Sequence, residues 1–201
     1  MRMNHGSIAV LALAAVCVLV GAPTAGAVSV GETAPAFTLT DLQGEEHSLA
    51  DLEGKVVVLE WVNPNCPFSD RHAREKTMTG LAAEHAEVVW LGINSTSPEH
   101  SNYLEHAEHA EWATENGIDY AILYDPTGEV GHAYGARTTP HMFIVDEQGK
   151  VAYNGAIDDD PPGSEPPAER TNYVDGGLDE HAAGKEVDPA STKPYGCSVK
   201  Y

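Results

Sequence analysis

The run Lys55 to Trp61, with Val56-Val57-Val58-Leu59 at its centre, is continuously apolar. A strand that does not alternate apolar with polar residues is buried on both faces, and such strands lie inside α/β sheets covered by helices on either side. Val88 to Ile93 repeats the pattern. Between them, the breaker-rich Asn63-Pro64-Asn65-Cys66-Pro67 ends the first strand, and a helix is expected from Pro67 to His85. Proline suits the first turn of a helix, where its missing N–H has no partner to lose. Cys66 therefore sits at a strand-to-helix corner, where the free N–H groups of the first turn stabilise a thiolate.

The rest of the chain extends this order. Phe37 to Thr40, a turn at Asp41 to Gly44 and a strand through His47 and Ser48 read as an N-terminal β-hairpin. Ser97-Pro98-Glu99 is expected to open a helix that stops near Gly117, followed by a strand at Ala121 to Tyr124 and a short helix at Glu129 to Tyr134. Arg137-Thr138-Thr139-Pro140 leads into an antiparallel hairpin, His141 to Val145 with Lys150 to Tyr153. Residues 158–167 hold three Asp and four Pro and read as a surface loop. A last helix is expected at Asn172 to Ala183. The sum is an α/β fold of three layers, a central mixed sheet flanked by helices.

Residues 1–27 are set apart. Arg2, the apolar run Ile8 to Val20 and the small residues Ala25-Gly26-Ala27 have the form of a signal peptide cleaved before Val28. The run is shorter than the roughly 20 residues that span a bilayer, so no stable membrane insertion is expected after cleavage, and the protein is expected to be exported, periplasmic or extracellular. The mature chain then divides into a domain at 28–184 and an irregular tail at 185–201 that carries Cys197. Cys66 and Cys197 are left in a compartment that permits disulfides. They can bond to each other, remain separate thiols, or bond to other chains.

Charge narrows the partners. The 201 residues hold 11 Lys+Arg against 31 Asp+Glu, a formal net charge of −20. Such a surface repels phosphate backbones and anionic lipid, so nucleic acid is excluded as a partner. Ten histidines raise the question of metal, since His106 and His109 are one turn apart on the expected helix. Interleaved with Glu105, Glu108 and Glu111, they read instead as a solvated face.

The motifs Asn63-Pro64-Asn65-Cys66-Pro67-Phe68 with His72, Thr138-Thr139-Pro140-His141-Met142-Phe143, Gly155-Ala156-Ile157-Asp158-Asp159 and Tyr195-Gly196-Cys197-Ser198-Val199-Lys200 carry a resemblance. The chain resembles the thioredoxin fold and, within it, the redoxin branch of alkyl hydroperoxide reductase and thiol-specific antioxidant proteins. The resemblance implies an exported thiol oxidoreductase with Cys66 as nucleophile, acting on protein or small-molecule thiols and disulfides or on peroxides. It implies that Pro140 is a cis-proline shaping a substrate groove with Thr139, Pro67 and Phe68, and that Glu60, six residues before Cys66, is a buried proton acceptor. Ser69 stands where thioredoxins place a second cysteine, so resolution falls to Cys197 or to an outside thiol. Asn63 stands three residues before Cys66, where peroxidases of this family place Thr or Ser, which weighs against efficient peroxide reduction. Arg137, ahead of Arg71, is the candidate for a positive charge at the site. Asp70, one turn beyond Cys66, is expected to oppose its ionisation. No organic cofactor and no metal is required. Two alternatives stand beside this reading, a non-catalytic binding module using the groove at Pro140 and a copper carrier using Cys66 with His72 or His141. The redox reading requires Cys66 to be acidic and reachable by solvent.

Overall fold

A computed structural model describes residues 26–201; the expected signal peptide lies almost wholly outside them. Nine strands and five helices follow in order: β1 (Thr38–Asp41), β2 (Glu46–Ser48), β3 (Val57–Trp61), α1 (Pro67–Arg74), α2 (Thr77–Glu84), β4 (Val89–Asn94), α3 (His106–Glu115), β5 (Ala121–Tyr124), α4 (Glu129–Tyr134), β6 (Thr138–Thr139), β7 (His141–Val145), β8 (Val151–Gly155), α5 (Tyr173–Ala182) and β9 (Cys197–Ser198). Seven strands form one sheet in the order β2-β1-β5-β4-β3-β7-β8, and β6 pairs with β9 apart from it. β3 runs parallel to β4 and β4 to β5, while β7 is antiparallel to β3 and β1 to β5. The mixed sheet and the N-terminal hairpin are as the sequence leads one to expect.

Alternation along β3 divides the interior. Val57, Leu59 and Trp61 face a core with Phe143, Leu123 and Tyr134 of α4. There Trp61 meets Tyr134 and Phe143 with ring centroids 5.2 Å away in each case. Val58 faces the other layer, built with Met78 and Leu81 of α2 and Val174 and Leu178 of α5. Val62 continues that face against Ala113 of α3 and Ile122. The same parity turns Glu60 toward the α1–α2 side.

Several expectations are corrected. The helix expected from Pro67 to His85 is broken after Arg74, because Lys76 adopts a left-handed φ of 57° and becomes the N-cap of α2. Glu and Lys are good helix formers, so local propensity hides a break imposed by packing: α1 turns His72 inward while α2 turns Met78 and Leu81 inward. The third helix does not open at Ser97. Residues 97–105 form turns, with Asn102 O accepting from Asn63 Nδ2 at 3.4 Å and Asn65 Nδ2 at 3.3 Å. The helix begins at His106, where the Glu108 side chain accepts from the Glu105 N–H. That start puts His109 in the interior with no exposure, bonded to Tyr124 Oη at 3.1 Å, so the solvated face expected of it is wrong.

The tail is not irregular throughout. Thr192 N donates to Asn154 O, Val199 N to Arg137 O, and Tyr201 Oη to Ala136 O. Cys197–Ser198 form β9, in antiparallel register with Thr139 and Thr138. Among the described residues no helix is long and apolar enough to cross a membrane.

Candidate active site

The corner after β3 is shaped by Asn63. Its side chain is buried, with Nδ2 donating to Thr96 Oγ1 at 2.7 Å and Oδ1 accepting from Asn65 N at 2.7 Å. This folds Pro64 and Asn65 back and delivers Cys66 as the N-cap of α1, with Pro67 at the first helical position. Opposite, the Thr139–Pro140 peptide is cis, and the Thr139 carbonyl oxygen lies 2.8 Å from Cys66 Sγ. β6, the strand that ends at Thr139, pairs antiparallel with the Cys197 strand.

Cys66 is 1% exposed, contrary to the expectation of a solvent-reachable sulfur. Thr139 and the tail strand close it. A sealed cysteine by itself reads as a plain core residue; this one is closed over by a second thiol. Both cysteines are free. Burial pushes the Cys66 thiol up, but Thr139, Cys197 and the Ser69 backbone in the first turn of α1 outweigh burial and leave it below its ordinary value. Cys197 goes the other way, pushed up to about 11 by burial and by the Cys66 sulfur beside it. The pair thus holds one acidic thiol and one that keeps its proton.

Asp70 does not bear on Cys66 as expected. Its carboxylate is taken by Arg74 Nε at 2.8 Å and Trp112 Nε1 at 3.2 Å. Glu60 is buried, and burial pushes its carboxyl up to about 7, although Tyr120 Oη donates to it at 3.1 Å. It makes no hydrogen bond to Cys66. It lines a cavity of about 10 Å³ with His72, Trp112 and Tyr120, at the lower bound for one water molecule. Pro67 is exposed and Phe68 half-buried, the Phe68 ring standing 6.0 Å from that of Tyr195.

The sequence placed Arg137 ahead of Arg71 as the positive charge at the site, yet neither is among the groups that shift the Cys66 thiol. Arg137 is exposed, whereas Arg71 Nη2 donates to Tyr195 Oη at 3.2 Å and Nη1 to Asp160 O at 3.1 Å. The surface loop expected at 158–167 buries two of its carboxylates. Asp158 accepts from Tyr195 Oη, and Asp160 meets Arg170 Nε at 3.1 Å. His72 completes the cluster, its Nε2 lying 2.9 Å from Tyr195 Oη and Nδ1 3.1 Å from Thr77 Oγ1. Tyr195 and Arg170 were not read as site residues. The sequence signal for Tyr195 was its place in the Tyr195-to-Lys200 motif that carries the resemblance, two positions before Cys197.

The copper-carrier alternative finds no geometric support. Both ring nitrogens of His72 are engaged, and His141 bonds Arg137 N and Asn154 Oδ1. Among the described residues, the groups able to converge on an ion are Asp41, Glu45, His47 and His85, Asp175, Asp179, neither of which includes Cys66.

Sheet order and the cysteine corner are those of the thioredoxin-like fold, and the relatives make the chain a thiol-based oxidoreductase. The chain belongs to the AhpC/TSA family, whose model matches residues 30–154. The thiol-disulfide oxidoreductase ResA of Geobacillus thermodenitrificans (strain NG80-2) is 34% identical over 125 residues, 62% of this chain and 68% of that protein. A thiol peroxidase of Bacillus subtilis (strain 168) is 30% identical over 134 residues, 63% of this chain and 75% of that protein. The crystal structure of an uncharacterized conserved protein from Geobacillus kaustophilus matches with a TM-score of 0.78 at 29% identity, covering 86% of this chain and 92% of that one.

Proposed function

We propose that this protein is an exported thiol–disulfide oxidoreductase in which Cys66 is the nucleophile and Cys197 the resolving thiol. The observation that carries the reading is the pairing of Cys197 with Thr139, the residue whose carbonyl touches the Cys66 sulfur. The Cys66 thiolate attacks one sulfur of a substrate disulfide, that S–S bond breaks, and the first substrate thiolate leaves. Cys197 then attacks the Cys66 sulfur, the mixed disulfide breaks, and the second substrate thiolate leaves. Two electrons pass to the substrate, and the protons of the two protein thiols end on the two departing sulfurs. The Cys66–Cys197 disulfide is reopened by an external dithiol. Thr139, Pro140, Pro67 and Phe68 wall the groove that receives the substrate, and Glu60, poised near neutrality, exchanges protons through the cavity it shares with His72.

Export rests on the form of residues 1–27, and the substrates are protein or small-molecule disulfides. Peroxide is the weaker substrate, because Asn63 spends its side chain on Thr96 and Asn65 and offers no hydroxyl. The test is turnover of insulin and of hydrogen peroxide by mature protein and by Cys66→Ser, with peptide mapping after mild oxidation. A reversible Cys66–Cys197 link and insulin turnover lost in the variant are expected. Equal rates in the two proteins would remove the enzyme reading.

A further inference from the structure

Tyr195 Oη gathers three partners from two separate parts of the fold. It donates to the buried Asp158, accepts from Arg71 Nη2 at 3.2 Å, and lies 2.9 Å from His72 Nε2. Arg71 Nη2 also lies 2.9 Å from His72 Nε2, and a guanidinium only donates, so Nε2 is the acceptor and His72 carries its proton on Nδ1 toward Thr77 Oγ1, while the phenol gives its one proton to Asp158 and accepts from Arg71. The ring stands edge-on to Phe68 of α1, and Arg170 reaches the second Asp158 oxygen at 3.7 Å. One tail hydroxyl therefore satisfies charges held in the first turns of α1 and after β8.

The next residue shows what this attachment achieves. Gly196 has φ 129°, and a Cβ there would run into the Thr139 carbonyl oxygen. Only glycine brings the backbone this near. Cys197 follows, in register with Thr139, and Val199 N donates to Arg137 O at 3.0 Å. The tail thus fills the backbone edge that the groove at Pro140 would otherwise offer to an extended substrate strand.

We propose that Tyr195 is a positioning residue that latches the Cys197 strand onto β6, so that the resting protein holds its resolving thiol as an internal occupant of the substrate-strand position. This deepens the function proposed above and rests on it for the role of Cys197. A protein disulfide must displace the strand to reach Cys66, and the strand must return to release the product. The latch therefore acts with opposite sign on the two halves of the cycle: it competes with substrate entry and favours resolution.

Mature Tyr195→Phe keeps the ring and loses the hydroxyl, and Gly196→Ala blocks the close approach. For each variant we expect alkylation of Cys66 by iodoacetamide to rise about tenfold, the scale set by one hydrogen bond to a buried charge. The effective concentration of Cys197 toward Cys66, read from equilibrium with glutathione, should fall by a similar factor. With insulin, KM should drop while release from the mixed disulfide slows, a split that general loosening of the fold does not give. Unchanged alkylation and glutathione equilibrium, with only Tm lowered, would overturn the latch. If either variant fails to fold, hydrogen exchange of wild type decides: Val199 N–H should exchange through a local opening, and exchange only by global unfolding would overturn it too. A wild type that never forms the Cys66–Cys197 bond, yet shows faster alkylation in the variants, would sink the resolving role and leave the latch standing.

Discussion

Thr139 faces Cys66 with its carbonyl and Cys197 with its strand edge, so one residue holds the two thiols of the chain's described part in register. Their unequal acidity follows from this arrangement and sets the order in which they react.

Replacing Cys66 by Ser should abolish disulfide reduction, because the one thiol left at the site, Cys197, is pushed up to about 11 and keeps its proton. Cys197→Ser should instead stall after the first exchange and accumulate substrate attached to Cys66. Mass spectrometry of the quenched reaction checks this. Free product at the wild-type rate from Cys197→Ser would assign resolution to an outside thiol.

Cys66 should ionise below an ordinary thiol and Cys197 only near 11. Because Cys197 helps hold the Cys66 thiolate, Cys197→Ala should move the Cys66 alkylation profile to higher pH. A profile that stays put or moves down would contradict the contact.

Buried Glu60 and the buried histidines make stability pH-dependent with opposite signs. The Glu60 carboxyl, raised from 4.5 to about 7, gives a contribution that is full below pH 4.5 and lost as pH climbs through 7, worth at most ~3 kcal/mol. His72, His109 and His141 are each lowered from 6.5 to about 4, chiefly by burial, so their contributions are full above pH 6.5 and lost as pH falls to 4. Three groups against one predict net loss of stability between pH 6.5 and 4. Glu60→Gln should be more stable than wild type at pH 8 and equal to it at pH 4, as measured by urea unfolding.

Asn63→Ala should cost about 1–3 kcal/mol, since it strands the buried Thr96 hydroxyl and removes the acceptor of the Asn65 N–H that shapes the turn. It should also slow the reaction of Cys66, whose placement depends on that turn. Denaturant unfolding gives the first effect and insulin turnover the second.

The sheet and most helices were legible because apolar runs and turn residues are local signals. β3, β4, β7 and the hairpins could be read directly from the chain. Lys76 escaped because nothing in Glu75-Lys76-Thr77 discourages a helix; the break comes from which side chains α1 and α2 bury. β9 escaped for a different reason. Two residues become a strand only when β6 supplies the partners, 58 and 60 positions away. The nucleophile, the cis-proline and the buried Glu60 were visible by resemblance. Tyr195 with Asp158, His72 and Arg71 was not, since their contacts join positions 37, 123 and 124 residues apart.

Trp112 gives the molecule an unlabelled optical gauge of its chemistry. Its indole N–H is tied to Asp70, whose own backbone N–H closes the first turn of α1 on the Cys66 carbonyl. A change of oxidation state that shifts that turn alters the surroundings of the indole, so emission from this half-buried tryptophan follows the sulfur in real time.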